Sequence, residues 1–189
     1  MWCWHMTTQV KEQIIIDGQK YPLLNALSLP EDDSIIQHKK GVIETSSNCW
    51  RGYVGTWEIK DDKLYLIDFS SGKYDVLVNL PILADWISGT AKVATGEVKA
   101  SSSWDIETYE TETHLTFENG QKLIEENYKN GKLNGEWLAW YDNGKQKTRG
   151  NYLDGKKDGD WMHLWEDGCP LITLWKNGED ITYENGTPF

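Results

Sequence analysis

The sequence predicts an all-β protein: an antiparallel meander of hairpins stacked on an N-terminal β-rich module. Three observations predict it. Asn-Gly and Asp-Gly pairs recur along the second half, within a total of 17 Gly against 5 Pro. These pairs tolerate positive φ at both central positions of a tight turn, so they favour hairpins. The chain also holds 11 Trp and 9 Tyr, residues that suit a pleated, half-buried surface. Finally, Gly returns too often in the second half for a helix to survive there.

The first elements follow in order. Residues 13–16 and 19–24 flank Asp17-Gly18 and read as an opening hairpin. Residues 30–33 and 38–41 are loop-like. Between Cys49 and Ile59, strict alternation puts Tyr53, Gly55, Trp57 and Ile59 on one face of a strand. A polar turn at 60–63 leads to a strand at 64–69 that is apolar on both faces and is therefore expected to be central. Ser70-Ser71-Gly72 turns again. The segment from Pro81 to Gly89 is expected to hold one short helical turn. Strands at 91–98 and 104–117 complete this half, with Thr111, Thr113, Leu115 and Phe117 in register.

The second half repeats itself with an offset of 24 residues. Tyr128 matches Tyr152, Gly131 matches Gly155, and Lys132 matches Lys156. Gly135 matches Gly159, Trp137 matches Trp161, Tyr141 matches Trp165, and Gly144 matches Gly168. A smaller element runs through the repeat: an aromatic, any residue, Asn or Asp, then Gly. It begins at Phe117, Tyr128, Tyr141, Tyr152, Trp165, Trp175 and Tyr183. From Phe117 to Trp165 it returns at intervals alternating between 11 and 13 residues. Such spacing leaves strands of about 6 to 9 residues between primed turns. A single unit cannot bury its own face, so the units need each other and a cap. Residues 1–110 and 111–189 are the expected modules. The strand ending at Phe117 runs into the first Asn-Gly turn without a linker, which predicts one continuous sheet system.

The run from Tyr128 through Gly131-Lys132, Gly135-Glu136-Trp137 and Tyr141 to Gly144 resembles the MORN repeat, in the variant found in bacterial YwqK-type antitoxins. The resemblance covers about 60 residues. It implies a stacked-hairpin fold and, for function, a scaffold, an interaction surface or a lipid contact. Residues 12–120 resemble a bacterial family of unassigned function. That likeness is carried by the run Cys49–Ile59, Lys63–Leu66, Leu83–Gly89 and Gly96. It implies a β-rich fold and brings no activity with it.

Composition narrows the partners. Thirty acidic against 19 basic side chains leave a net charge of −11. Such a balance opposes non-specific contact with nucleic acid or anionic lipid, both polyanions. It argues against the lipid option of the resemblance. No apolar run approaches the roughly 18 residues of a membrane helix. The first residues lack the basic and apolar segments of a secretory signal. Cys3, Cys49 and Cys169 are far apart and odd in number, neither a disulfide framework nor a zinc pattern. Free thiols in a reducing cytoplasm are the expectation. His5, His38, His114 and His163 are equally scattered, so no metal site and no cofactor are expected.

No phosphate loop, dinucleotide fingerprint or nucleophile elbow is present. No catalytic residue is therefore assigned, and the chain reads as a binding protein. Trp137, Trp161, Tyr141 and Trp165 are expected to fill the meander core. Trp140, Trp175 and Tyr183 are expected to stay exposed as anchors for a partner. Glu136, Asp142, Asp158, Asp160, Glu166 and Asp167 would rim them and suit a basic surface. The leading expectation is a cytoplasmic immunity protein or antitoxin that occludes a basic toxin domain, a nuclease. One alternative is a carbohydrate-binding module or enzyme with a cleft of Trp50, Arg51, Trp57, Asp85 and Trp86, in which two carboxylates among Glu58, Asp61, Asp62, Asp68 and Asp85 stand at a set separation. Another is a MORN-type scaffold.

Overall fold

The computed structural model describes residues 10–33, 35–41, 49, 51–101 and 107–182. All regular structure among them is β. The first hairpin is β1 (Gln13–Ile16) and β2 (Gln19–Pro22), followed by β3 (Ile36–His38). Next come β4 (Tyr53–Lys60), β5 (Lys63–Ser71), β6 (Tyr74–Val76), β7 (Ile82–Leu83) and β8 (Gly89–Ala94). The short β9 (Val98–Ser101) and β10 (Glu107–Tyr109) precede β11 (Thr111–Glu118) and β12 (Gln121–Lys129). The repeat supplies β13 (Lys132–Trp140), β14 (Gln146–Leu153), β15 (Lys156–Leu164), β16 (Pro170–Lys176) and β17 (Glu179–Asp180).

One 13-stranded sheet crosses both modules, while β9–β10 and β3–β6 form two small sheets of their own. Pairing is antiparallel except between β1 and β4. The first module, joined by β11 and β12 from beyond residue 110, curls its sheet around one apolar side. One arc, β2, β1, β4 and β5, and a second, β8, β11 and β12, meet at two seams. The seams are narrow, so the sheet is curled rather than a closed barrel. At one, Leu23 bridges Val93 and the Leu24 N–H donates to the Lys92 carbonyl at 2.8 Å. At the other, Gln121 pairs with Lys63, and the Leu64 N–H donates to the Gly120 carbonyl at 2.8 Å.

The enclosed core holds Ile14, Leu23, Leu27, Trp57, Leu64, Leu66, Ala84, Ile87, Ala91, Val93, Leu115 and Phe117. Alternation places these side chains there: Tyr53, Gly55 and Trp57 are buried along β4, and Thr113, Leu115 and Phe117 along β11. Strand β5 is central, flanked by β4 and by β7 and β12. Two expected elements differ. Residues 81–89 hold no helical turn. Ile82 and Leu83 pair with Leu66 and Tyr65. A single tight turn follows, closed by the Ile87 N–H on the Ala84 carbonyl at 3.0 Å. The strand expected at 104–117 is two strands broken at Glu110, where the chain leaves β9 for β8 and β12. Residues 102–106, with Trp104, lie outside the described residues.

The repeat is built differently. Strands β12 to β16 form a regular antiparallel meander. Along β13 to β17 only Ala139, Gly150 and Trp161 are buried, so no second layer of described residues covers them. The turns fall into two kinds, which explains the alternating intervals. Asn119-Gly120, Asn130-Gly131, Asp154-Gly155 and Asn177-Gly178 all have positive φ at both residues, the expected primed turns. The turns at Gly144 and Gly168 do not: only the glycine is left-handed. There the Gly144 N–H donates to the Tyr141 carbonyl, and the Tyr141 N–H to the Lys145 carbonyl. Gly168, Trp165 and Cys169 repeat both bonds. This is a type I turn closed by a glycine bulge, which takes more residues than a primed turn. Asn143 and Asp167 each accept the backbone N–H two residues on, at 2.9 Å.

Candidate functional site

On a strand, neighbouring residues point to opposite faces. The repeat places Glu136 beside Trp137 and Asp160 beside Trp161, so its acids and its aromatics separate. Trp137 lies opposite Gly150, and Trp161 opposite Thr173. Trp161 covers Gly150 so closely that a Cβ there would stand 2.2 Å from its ring. Trp137 and Tyr152 pack on Trp161 with centroids 5.7 and 5.1 Å away. Trp161 is 5% exposed and donates from Nε1 to the Asn151 carbonyl. Lys157 Nζ lies 4.1 Å from the Trp161 ring centroid and 4.5 Å from that of Trp175. Trp137, Tyr152, Lys157 and Trp161, with Thr148, Met162, His163, Leu171 and Thr173, border a groove of 310 Å³.

The aromatic row continues toward the first module. Trp137 Nε1 and the Tyr128 hydroxyl both donate to the Glu126 carboxylate at 3.2 Å. Partial burial, and then the Glu126 charge, push the Tyr128 and Tyr152 hydroxyls above their ordinary pKa. His114 stacks on Tyr128 at 4.3 Å.

The opposite face carries Glu136 and Asp160, whereas Glu126 stays among the aromatics. Glu136, Arg149, Asn151 and Asp160 line a shallow polar groove of 270 Å³. Asp142 sits in the turn before Gly144, and Glu166 and Asp167 in the turn before Gly168. Asp142, Asp160, Glu166 and Asp167 are exposed, while Asp158 is half-buried and accepts the Asn177 N–H at 3.4 Å. Among the described residues none of these five, nor Glu136, forms an ion pair.

The expected aromatic core is therefore corrected: of its four residues only Trp161 is buried, and Trp137 and Tyr141 are half-buried. Trp165 is 54% exposed, because its turn projects beyond the sheet; it touches His163 edge-on at 4.5 Å. Trp140 and Trp175, expected to stay exposed, are half-buried beneath lysines. Lys122 lies 4.3 Å over Trp140 and pairs with Asp62 and Glu125. Tyr183 lies outside the described residues. Reading acids and aromatics as one rimmed surface missed the alternation, although the sequence carries that signal. Lys157, Thr148 and Tyr152 were missed as well, since only strand pairing brings them together.

In the first module Arg51, Trp57 and Trp86 of the expected cleft come together around the buried Glu12. Trp57 is fully buried at 0% exposure, too deep to stack on a sugar. It donates from Nε1 to Glu12, which is 1% exposed and also accepts the Leu27 N–H. Arg51 stands 3.6 Å from the Glu12 carboxylate. Burial holds the Glu12 carboxyl above its ordinary range, against the lowering effects of the Leu27 N–H, Arg51 and Trp57. Trp86 packs at the core margin, its ring 6.5 Å from Trp57, and donates to the Ser28 carbonyl. Asp85 is exposed, and Trp50 lies outside the described residues.

Among the described residues no group of three His, Cys, Asp or Glu could hold a metal ion, and no helix is long and apolar enough to cross a membrane. The chain matches no family model, no curated protein and no solved structure.

Proposed function

We propose that the chain is a binding protein of the immunity or antitoxin kind, which neutralises a basic bacterial toxin domain by covering its active site. One observation carries this reading. Glu136, Asp142, Asp158, Asp160, Glu166 and Asp167 belong to a sheet without a covering layer, and none is paired with a cation among the described residues. Arg149 lines the groove with Glu136 and Asp160 but pairs with neither, and a cationic partner would gain from carboxylates left unpaired. The net charge of −11 would steer a basic nuclease toward this face. Carboxylates would then occupy the positions of the nuclease's substrate phosphates. The resemblance of the hairpin unit to MORN repeats of YwqK-type antitoxins supports the same reading.

The test is co-purification with the C-terminal domain of the protein encoded directly upstream. A stable complex whose affinity falls steeply with salt is expected. The absence of any complex at micromolar concentration contradicts the proposal. Reversing charge with Asp160→Lys should slow association more than it speeds dissociation, since exposed charges act mainly on the encounter.

A further inference from the structure

We propose that the groove on the aromatic face is a second, separate site, which binds a small ring compound carrying an anionic group. The first support is its charge. The chain has 30 acidic side chains, yet none lines this groove. The ionisable groups that do are Lys157, His163 and the Tyr152 phenol. Lys157 makes no ion pair among the described residues; Glu126 stands at the groove's margin, where it accepts from Trp137 Nε1.

The second support is an orphaned donor site. His163 Nδ1 lies 2.9 Å from the Thr148 hydroxyl, while Nε2 is buried without a hydrogen-bond partner. A buried polar atom left unpaired is costly, and a ligand atom that satisfies it regains that cost. An anion selects the tautomer in which Thr148 donates to Nδ1 and Nε2 carries the proton. Lys157 and His163 are then two donor residues bordering one groove. The third support is the groove's aromatic lining. The half-buried Trp137 and Tyr152 present apolar ring surface beside the covered Trp161, and a volume of 310 Å³ is that of a small-ligand site. A ring would stack on this surface while its carboxylate or phosphate reaches the two nitrogens. The surrounding negative charge turns away polyanions, so a monomeric ligand is favoured over nucleic acid.

Calorimetric titration of the whole chain with adenosine monophosphate and with glucuronate tests this. Adenosine, methyl glucoside and inorganic phosphate serve as controls. Saturable binding of one or both anionic ring compounds with Kd at or below about 1 mM is expected. Tighter binding of the nucleotide identifies a planar base, and tighter binding of glucuronate a sugar ring. The neutral compounds and phosphate alone should bind at least about tenfold more weakly. Lys157→Gln and His163→Gln should each weaken binding about tenfold, with unchanged near-ultraviolet circular dichroism as the check on folding. No saturable binding of either anionic compound, or equal binding of the neutral ones, overturns the proposal without a variant being needed. Neither result bears on the partner reading, because Glu136 and Asp160 line a different groove.

Discussion

The curled module and the repeat share one sheet but are stabilised in different ways. The first encloses its apolar side: Trp57, Leu64, Leu66, Val93 and Leu115 are essentially inaccessible to water. The second encloses almost nothing, and its strands stay half-exposed on both faces. It relies instead on its turns, on cross-strand aromatic contacts and on Trp161 lying across Gly150. The contrast teaches where each part can change. An enclosed core restricts its residues to packing. An open sheet leaves both faces free to bind, at a cost in stability.

The largest expected effect falls on the first module. Trp57→Ala removes a fully buried ring and strands the Glu12 carboxylate, which should cost about 3–5 kcal/mol in urea denaturation. A loss near that of a surface substitution would break the contrast from the core side. The next effect belongs to the repeat. Gly150→Ala must displace Trp161, at about 1–3 kcal/mol. Hydrogen exchange should quicken in β14 and β15 while β4 and β5 stay protected. If β4 and β5 lost protection equally, the two regions would be one cooperative unit.

Turn substitutions sharpen the picture at smaller scale. Gly131 and Gly155 have φ of +76° and +86°, and open space surrounds their missing Cβ. Gly131→Val or Gly155→Val therefore costs backbone strain alone, about 1–2 kcal/mol. An unchanged melting temperature would mean that these turns do not hold the meander.

The smallest effect is one of pH. Burial raises the Glu12 carboxyl above the ordinary value of 4.5, so the folded chain binds that proton more tightly than the unfolded one. Its contribution to stability therefore grows as pH falls through the raised value toward 4.5. Compared with the Glu12→Gln variant, the wild-type chain should gain stability as pH falls from neutral to that value. Denaturation midpoints of both proteins across that window measure the difference, and parallel curves would contradict it.

Much of this fold was legible because its signals are local. Asp17-Gly18 and Asn130-Gly131 form the turns their residue types demand, and the alternation about Trp57 and Leu115 names core residues directly. Long-range features were not legible. The bridge of Leu23 to Val93 and the meeting of Gln121 with Lys63 join residues about 60 to 70 positions apart, and no local pattern records them. Pro81–Gly89 has a helix-compatible pattern, yet Ile82 and Leu83 find a partner in β5, so tertiary pairing overrides it. The site was half legible. Adjacent Glu136-Trp137 and Asp160-Trp161 encode two opposed faces by alternation alone. The groove needed the register that sets His163 against Thr148 and Lys157 against Tyr152.

The central claim is that the repeat keeps carboxylates for a partner rather than for its own fold. It is tested by replacing Glu136, Asp142, Asp158, Asp160, Glu166 and Asp167 together with their amides. Asn at 158 and 167 still offers an oxygen to the Asn177 and Cys169 N–H groups, so local turn geometry survives. At low salt the urea midpoint of this variant should equal or exceed that of the wild-type chain, because mutual repulsion has been removed. A loss of more than about 1 kcal/mol would show that these carboxylates serve the fold, and would contradict the account.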